Sequence, residues 1–375
     1  MIKGYKLKRE LLRIARKPKQ LKDDALTFLF GARYYDRFLA DQCRVQAGVQ
    51  EMGQNVAVYL IYPSRGLKPS HLRTLRYLHA KNYSVIVVSN LPLEEAEVHQ
   101  ILPLSHRYIQ RPNFGYDFGG YRDGVLSVLS GPKLPERLVL LNDSAWFPIS
   151  DATDWLDDVA QLDVDFAAAA SNYGVPRPDP EDFRNMVFDY RSDHKRFHYC
   201  SFALAFGSRI LRDLDFKKFW ERFPLSNEKT ATVRRGEVGL TAWVLRKGYL
   251  HGATFDMASL ERCLNGLSDA RLRQVIEHLI VPADARMKET LSRSLADLED
   301  LSREDRIKLV LTTIARQGVS YATAYFNMLE QGFPFLKKSP VWLDEQARER
   351  TLNILDTLGT PAAIEAKAEA LEIKP

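Results

Sequence analysis

Three stretches of the chain, Asn55-Val-Ala-Val-Tyr-Leu-Ile-Tyr, Tyr83-Ser-Val-Ile-Val-Val-Ser-Asn and Arg137-Leu-Val-Leu-Leu, are apolar runs of strand length with no polar alternation. A strand apolar on both sides must be buried on both faces, which is the condition of a parallel sheet with helices above and below it. The segments between supply those helices, from about Pro69 to Lys81 and from Leu93 to Leu102, with Pro63 ending the first run. A further strand, Arg107-Tyr-Ile-Gln, leads into a turn rich in glycine and asparagine (Arg111 to Gly120) and a short helix from Tyr121 to Leu129. Strand and helix alternate, so the expected class is α/β with a mostly parallel, Rossmann-type sheet. In such sheets ligands gather outside the carboxyl ends of the strands. Tyr62, Ser89, Asn90, Arg111 and Asn142-Asp143-Ser144 are therefore expected on one ligand-binding edge.

With 375 residues the chain has room for a full α/β domain and a smaller attachment. The predicted division is a basic helical arm over 1–53, the sheet domain over 54–264 and a helical region over 265–375. The arm crowds its cations between Lys3 and Lys22, with Glu10 the only acid among them, and interleaves Leu7, Leu11, Leu12, Ile14 and Leu21. That pattern fits a helix lying on an anionic membrane better than one binding nucleic acid, which would interleave aromatics. From Asp23 to about Met52 a second helix is expected, with Phe28, Phe30, Tyr34, Tyr35, Phe38 and Leu39 packing on the sheet domain. No apolar run is long enough to span a bilayer, and no secretory signal is evident. The three cysteines, Cys43, Cys200 and Cys263, are widely spaced and suggest neither a disulfide framework nor a zinc site. A protein of the cytoplasm, peripheral on the inner membrane face, is the expectation.

The chain lacks GxxxxGK[ST] and has no GxGxxG after its first strand, so neither a phosphate-loop NTPase nor a dinucleotide dehydrogenase is supported. Instead Asn113-x-Gly115-x-Asp117-Phe118-Gly119-Gly120-Tyr121, then Leu140-Leu-Asn-Asp-Ser144 with Pro148, resemble the rhamnan synthesis F family of glycosyltransferase-like proteins. His198-Tyr-Cys-Ser201 resembles the family's His-x-Gln-Ser strand, with cysteine where glutamine is common. Arg234-Arg-Gly-Glu237 through Gly248-Tyr249 resembles the acidic helix of GT-A nucleotide-sugar transferases. Gly332-Phe-Pro-Phe-Leu-Lys337 resembles the family's C-terminal Gly-x-Pro-Phe-x-Lys element. Together these span about residues 55 to 340.

The resemblance implies a GT-A-like fold and a glycosyltransferase of bacterial surface-polysaccharide synthesis. The implied donor is dTDP-L-rhamnose, the implied acceptor a growing glycan on a lipid carrier. Transfer of a sugar from a nucleoside diphosphate needs a nucleotide crevice, charge compensation for the departing diphosphate and a base for the acceptor hydroxyl. Asp143 is the candidate ligand for Mg²⁺ or Mn²⁺, with His251 where some GT-A enzymes place a metal-binding histidine. Capping of its own turn at Ser144 is the lesser alternative for Asp143, and Asp117 suits a ribose or sugar contact and a turn cap alike. Arg122, Arg234, Arg235 and Lys337 or Lys338 are candidate diphosphate contacts, the lysines on a closing lid, and His198 is a weaker site candidate. Asn113 and Gly115 suit the left-handed backbone of the turn. Glu237, read as opening the apolar helix Val238 to Leu245, is the candidate general base, in an inverting reaction if a β-linked donor yields an α-linked product. Asp163-Val-Asp165 precedes a strand and is set aside. Two other readings stay open: a nucleotide-sugar-binding scaffold that has lost catalysis, and a sugar nucleotidyltransferase, of which Pro63 to Lys68 is a faint echo.

Overall fold

The computed structural model describes residues 26–150 and 154–373. The strands in chain order are β1 (Arg44–Ala47), β2 (Asn55–Ile61), β3 (Ser84–Ser89), β4 (Arg107–Gln110), β5 (Arg137–Asn142), β6 (Ala145–Trp146), β7 (Phe166–Ala168), β8 (Ser171–Asn172), β9 (His198–Tyr199), β10 (Ala203–Gly207), β11 (His251–Ala253) and β12 (Leu336–Lys337). Eight of them form one sheet in the order β1-β4-β3-β2-β5-β10-β7-β11. The pairs β3–β4, β2–β3, β2–β5 and β7–β11 are parallel, and all strands but β1 and β10 point the same way. β6 pairs with β12, and β8 with β9, as two small antiparallel ribbons.

Burial follows the period of two that a pleated strand imposes. Ala57, Tyr59 and Ile61 of β2 and Val85 and Val87 of β3 face α2 (Pro69–Ala80) and α3 (Glu95–Ile101) in one core. Val56, Val58 and Leu60 of β2 and Ile86 and Val88 of β3 face α4 (Tyr116–Leu129) in the other. Each such side chain, withdrawn fully from water, contributes roughly 1.5–3 kcal/mol. On the α4 face Gly120 and Gly124 bring helix and sheet together, since a Cβ there would lie 2.3 Å from Leu60 and 2.4 Å from Val58. Those glycines serve packing, and α4 starts at Tyr116, a turn and a half before the expected Tyr121.

The proposed three-part division does not match the packing. Arg44–Ala47, expected in a helix, is the edge strand of the sheet, antiparallel to β4, because β4 would otherwise present an unpaired edge. The helix before it, α1 (26–38), buries Tyr35 but leaves Phe28, Phe30, Tyr34 and Phe38 about half exposed or more, at 61, 49, 48 and 60 %. The expected packing is partial: Tyr34 meets Phe114 at 5.8 Å and Phe28 lies under the Arg235 guanidinium at 5.5 Å, but none of the four rings is buried. The helices after residue 265 share one continuous core with α2 and the sheet, from Leu272, Ile276, Leu279 and Ile280 through Ile307 to Ile314 and on to Ala370. Residues 1–22, expected to meet the membrane, lie outside the described residues. Among the described residues no helix is long and apolar enough to cross a membrane.

Candidate active site

The loops leaving β2, β3, β4 and β5 meet at one edge and are tied to each other by main-chain bonds. Asn90 N–H donates to Ile61 O (3.1 Å), Arg111 N–H to Ser89 O (2.9 Å) and Asp143 N–H to Leu60 O (3.1 Å). Asp143 is thereby fixed just past the end of β5, where its Oδ2 accepts from the Tyr62 N–H (2.9 Å) and lies 3.1 Å from His71 Nε2. Burial pushes this carboxyl up, but His71, the Lys338 ammonium and the Tyr62 amide outweigh it and hold Asp143 below the usual carboxylate range. A cavity of about 500 Å³ opens in front of it, lined by Leu60, Tyr62, Asn90, Asn113, Tyr116, Asp117, Asp143 and Asn227.

Asp117 sits in the first turn of α4. Burial, reinforced by the negative charges of Asp143 and Glu237 and opposed by Lys337 and Lys229, pushes its carboxyl up to about 6. It is held by a chain of bonds: Lys337 Nζ donates to Ser144 Oγ (2.9 Å), Ser144 Oγ to Asn142 Oδ1 (2.5 Å), and Asn142 Nδ2 to Asp117 Oδ2 (3.0 Å). Lys337 reaches this place from 193 residues away because β12 pairs with β6, directly after Ser144, and its ammonium stands 4.0 Å from the centre of the Phe202 ring. Lys337 is thus locked in a ribbon with its charge spent on the site's hydrogen-bond chain.

Glu237 does not open a helix. A helical stretch starts at Lys229 behind its N-cap Glu228, passes through a π-turn at Arg234–Val238 and continues as Gly239–Arg246. The side chain's orientation therefore owes nothing to a helix N-terminus; it comes from the extra residue of the π-turn, a device common at functional sites. Its Oε1 accepts from Ser201 N–H (3.1 Å) and Ser201 Oγ (2.7 Å), and its Oε2 is 3.5 Å from His198 Nε2. His198 is oriented in turn by Nδ1 bonding to Arg196 O (2.9 Å). Glu237 and Asp143 both act on the charge of Asp117, so the three carboxylates and Lys337 belong to one electrostatic cluster. Cys200, between His198 and Ser201, is buried and its thiol is pushed up to about 12, chiefly by burial, so it is no nucleophile.

Several expected contacts are committed elsewhere. Arg111, buried at the end of β4, spends its guanidinium on Asp123 (2.6 Å), Asn90 Oδ1 (2.7 Å) and Phe114 O (2.8 Å), so it shapes the loop and presents nothing to a ligand. Arg122 points away to Asp36 of α1, bonding it twice (2.7 and 2.8 Å), and to Trp220 O. Arg235 donates to Pro224 O and Thr27 Oγ1 and stacks on Phe28, again tying α1 down. Ser89 is fully buried and closes its own turn on Leu91 O. His251 begins β11, three strands beyond β5 and at the opposite edge of the sheet, where Tyr199 Oη is 2.6 Å away; it cannot share a metal with Asp143. Arg234 is exposed. Gly115 is conformational, at φ 86°, with its N–H donating to Asn227 Oδ1 (2.7 Å). Asp165 bonds the Leu250 N–H and Arg209 at the far edge, as expected of a residue set aside.

Residues given no role in the sequence reading are His71, Ser201, Tyr116 and Asn227. His71 carried a signal, since a histidine one turn into the helix after the first strand faces that strand's carboxyl end. Among the described residues no three His, Cys, Asp or Glu side chains form a metal cage. Asp117 and Asp143 on one open cavity nevertheless fit Mg²⁺ or Mn²⁺, hard ions that take one or two carboxylates and complete their shell with phosphate oxygens and water.

A family profile described as rhamnan synthesis protein F matches residues 85–278, more than half of the chain, and takes in Asp117, Asp143, His198 and Glu237. The chain belongs to that family. It is a glycosyltransferase of polysaccharide synthesis. The y4gN protein of Sinorhizobium fredii is 29 % identical over 282 residues, covering 75 % of this chain and 69 % of its own. The virulence protein VirA of Vibrio anguillarum is 22 % identical over 275 residues, covering 72 % of each. Among solved structures, a mannosyltransferase of Pyrobaculum calidifontis in complex with GDP-Man and Mn²⁺ overlays 96 % of this chain and 98 % of its own at 12 % identity, with a TM-score of 0.33.

Proposed function

We propose that this member of the rhamnan synthesis protein F family binds a nucleotide-sugar, dTDP-L-rhamnose, in the cavity at the carboxyl edge of β2–β5 and transfers the sugar with inversion to a growing glycan on a lipid carrier at the inner membrane face. The observation that supports this best is one cavity walled by the Asp117 and Asp143 carboxylates together with an exposed tyrosine ring, Tyr62, and the amides of Asn90 and Asn113. An aromatic face and amide groups suit a base and ribose, and paired carboxylates suit the metal that accompanies a diphosphate. Asp143, with Asp117, would hold Mg²⁺ or Mn²⁺, which supplies charge compensation for the leaving diphosphate. Lys337, through Ser144 and Asn142, keeps Asp117 in place. Glu237, positioned by Ser201 and beside His198, takes the proton from the acceptor hydroxyl as its oxygen attacks the anomeric carbon and the bond to the diphosphate oxygen breaks.

Titration calorimetry with dTDP, UDP, GDP and CMP, each with and without Mn²⁺, on the wild type and Asp143→Ala tests the reading. The expected result is metal-dependent binding of dTDP that the variant loses. Failure of every nucleotide to bind would remove the donor crevice, and with it both the transferase reading of this cavity and that of a nucleotide-sugar-binding scaffold.

A further inference from the structure

A second cavity, of about 470 Å³, lies on the other side of Asp143 and Tyr62, which wall both spaces. Its lining differs in kind. Arg65, Lys68, His71 and Lys338 bring nitrogen donors to it, while Trp146, Trp342 and Ile373 bring apolar surface. Trp342 is 45 % exposed, and Leu343 beside it and Leu371 on the last helix are also half exposed, so the apolar surface continues outward from the lining. The acids that face the space are already engaged. Glu369 takes hydrogen bonds from Ser70 N–H (2.8 Å), Ser70 Oγ (2.8 Å) and Trp146 Nε1 (3.0 Å), with Lys338 Nζ 4.0 Å away. Asp143 is engaged by Tyr62 and His71. That leaves Arg65 and Lys68, whose present partners are the Glu372 carbonyl oxygen and carboxylate, each at 2.7 Å. The Glu372 side chain is 61 % exposed, so these bonds are made in water and exchange readily for a stronger anion.

We propose that this cavity is a subsite for a phosphate-bearing amphiphile, a prenyl diphosphate or its glycosylated form, with the diphosphate on Arg65, Lys68 and Lys338 and the chain along Trp342 and Ile373. Guanidinium and ammonium groups in one pocket match phosphate oxygens, and the apolar lining matches a chain that neither water nor the charged floor would hold. This rests on the proposed donor site insofar as the shared wall at Asp143 sets the two ligands side by side, with the acceptor's first sugar able to approach the donor. Each cavity is tested on its own.

The experiment is calorimetric titration of the full chain with farnesyl diphosphate and, separately, with inorganic diphosphate, on the wild type, on Arg65→Ala/Lys68→Ala and on Glu372→Ala. dTDP with Mn²⁺ serves as a separate arm and thermal unfolding as the check of folding. The wild type is expected to bind farnesyl diphosphate about tenfold or more tightly than inorganic diphosphate, the double variant to lose about tenfold or more, and Glu372→Ala to gain severalfold by freeing Lys68, while Arg65 keeps the main-chain carbonyl as its partner. Equal affinity in the wild type and a folded double variant overturns the subsite. So does competition between farnesyl diphosphate and dTDP, which would make the cations part of the donor's own site. Inorganic diphosphate binding as tightly as the prenyl compound removes the amphiphile and leaves a free diphosphate as the ligand. Absence of dTDP binding with farnesyl diphosphate still bound would sink the donor reading while sparing this one.

Discussion

Asp117 is the residue at which structure and chemistry pull in opposite directions. Its carboxyl titrates near 6 in the folded protein, because burial disfavours the charge, and near 3.9 in an unfolded chain. Between about pH 4 and 6 the folded state therefore holds more protons than the unfolded state, so stability falls as pH rises through that window and stays at the lower level above it. Asp117→Asn removes the slope and can still accept the Asn142 hydrogen bond. Urea denaturation should find it about 1–2 kcal/mol more stable than the wild type at pH 7.5, with the gain gone near pH 4, and calorimetry should find its metal-dependent nucleotide binding lost. A variant less stable than the wild type at pH 7.5 would show that the buried charge is compensated. Glu237→Gln makes a second test, since its amide oxygen can still accept both Ser201 bonds. Nucleotide affinity should be kept and kcat should drop about 10²–10⁴-fold in a steady-state assay. Asp143 and Glu237 could be picked out as candidates in the sequence because strand ends and acidic helices advertise themselves locally. His71 could not be, as it meets Asp143 from 72 residues away through the fold alone, and Lys338, named with Lys337 as a phosphate contact, gave no sign that it would act on Asp143 from 195 residues away. The buried arginines misled for a related reason: a guanidinium beside a glycine turn looks free until Asp123 and Asp36 are seen next to it.

At the scale of elements, the π-turn decides where Glu237 points. It stands against α4 at Gly236, where a Cβ would come within 2.3 Å of the Phe118 ring, itself stacked on Trp220 and Phe223 at 6.1 and 5.2 Å. That ring is 2 % exposed and held between those neighbours, so Gly236→Ala is expected to push the π-turn and α4 apart. Thermal unfolding should register about 1–3 kcal/mol of destabilisation. Because Glu237 follows directly and Asp117 precedes Phe118, kcat should fall more than the stability loss alone accounts for, while a variant with full activity would show the glycine to be incidental. The same turn explains a misreading: Arg-Arg-Gly-Glu looks like the start of a helix because glycine and charge break the apolar period, and only the tertiary contact reveals that the helix runs through. Short strands are hidden similarly. Arg44-Val-Gln-Ala carries no burial pattern, as all its residues are exposed, and the unpaired side of β4 alone makes it a strand.

Over the whole molecule, the long parallel strands were legible since double-sided burial writes continuous apolar runs, whereas the attachment of the C-terminal helices was not, because amphipathic faces do not name their partners. Those helices close the sheet's second face. The last of them, Pro361–Glu372, docks on α2 through Glu369 to Ser70 and through Glu365 to Arg73 (3.1 Å, twice), reaches β6 through Glu369 to Trp146, and buries Ala363, Ala366 and Ala370 in the same core as Tyr59 and Leu75. A chain ending at Gly359 would leave the Ser70 amide, the Trp146 indole and the Lys338 ammonium without that carboxylate, each a buried polar group worth about 1–3 kcal/mol when unmatched. Those losses fall on α2 and on the loop bearing Asp143, not on a detachable appendage. Truncation after Gly359 is therefore expected to lower the denaturation midpoint of the entire sheet and to weaken nucleotide binding with it. Limited proteolysis of the intact chain should yield no stable fragment ending near residue 264, and unfolding should be a single transition by both tryptophan fluorescence and circular dichroism. A stable 54–264 fragment that still binds nucleotide would mean that the two halves of the core are independent, and would return the C-terminal helices to the role of an attachment.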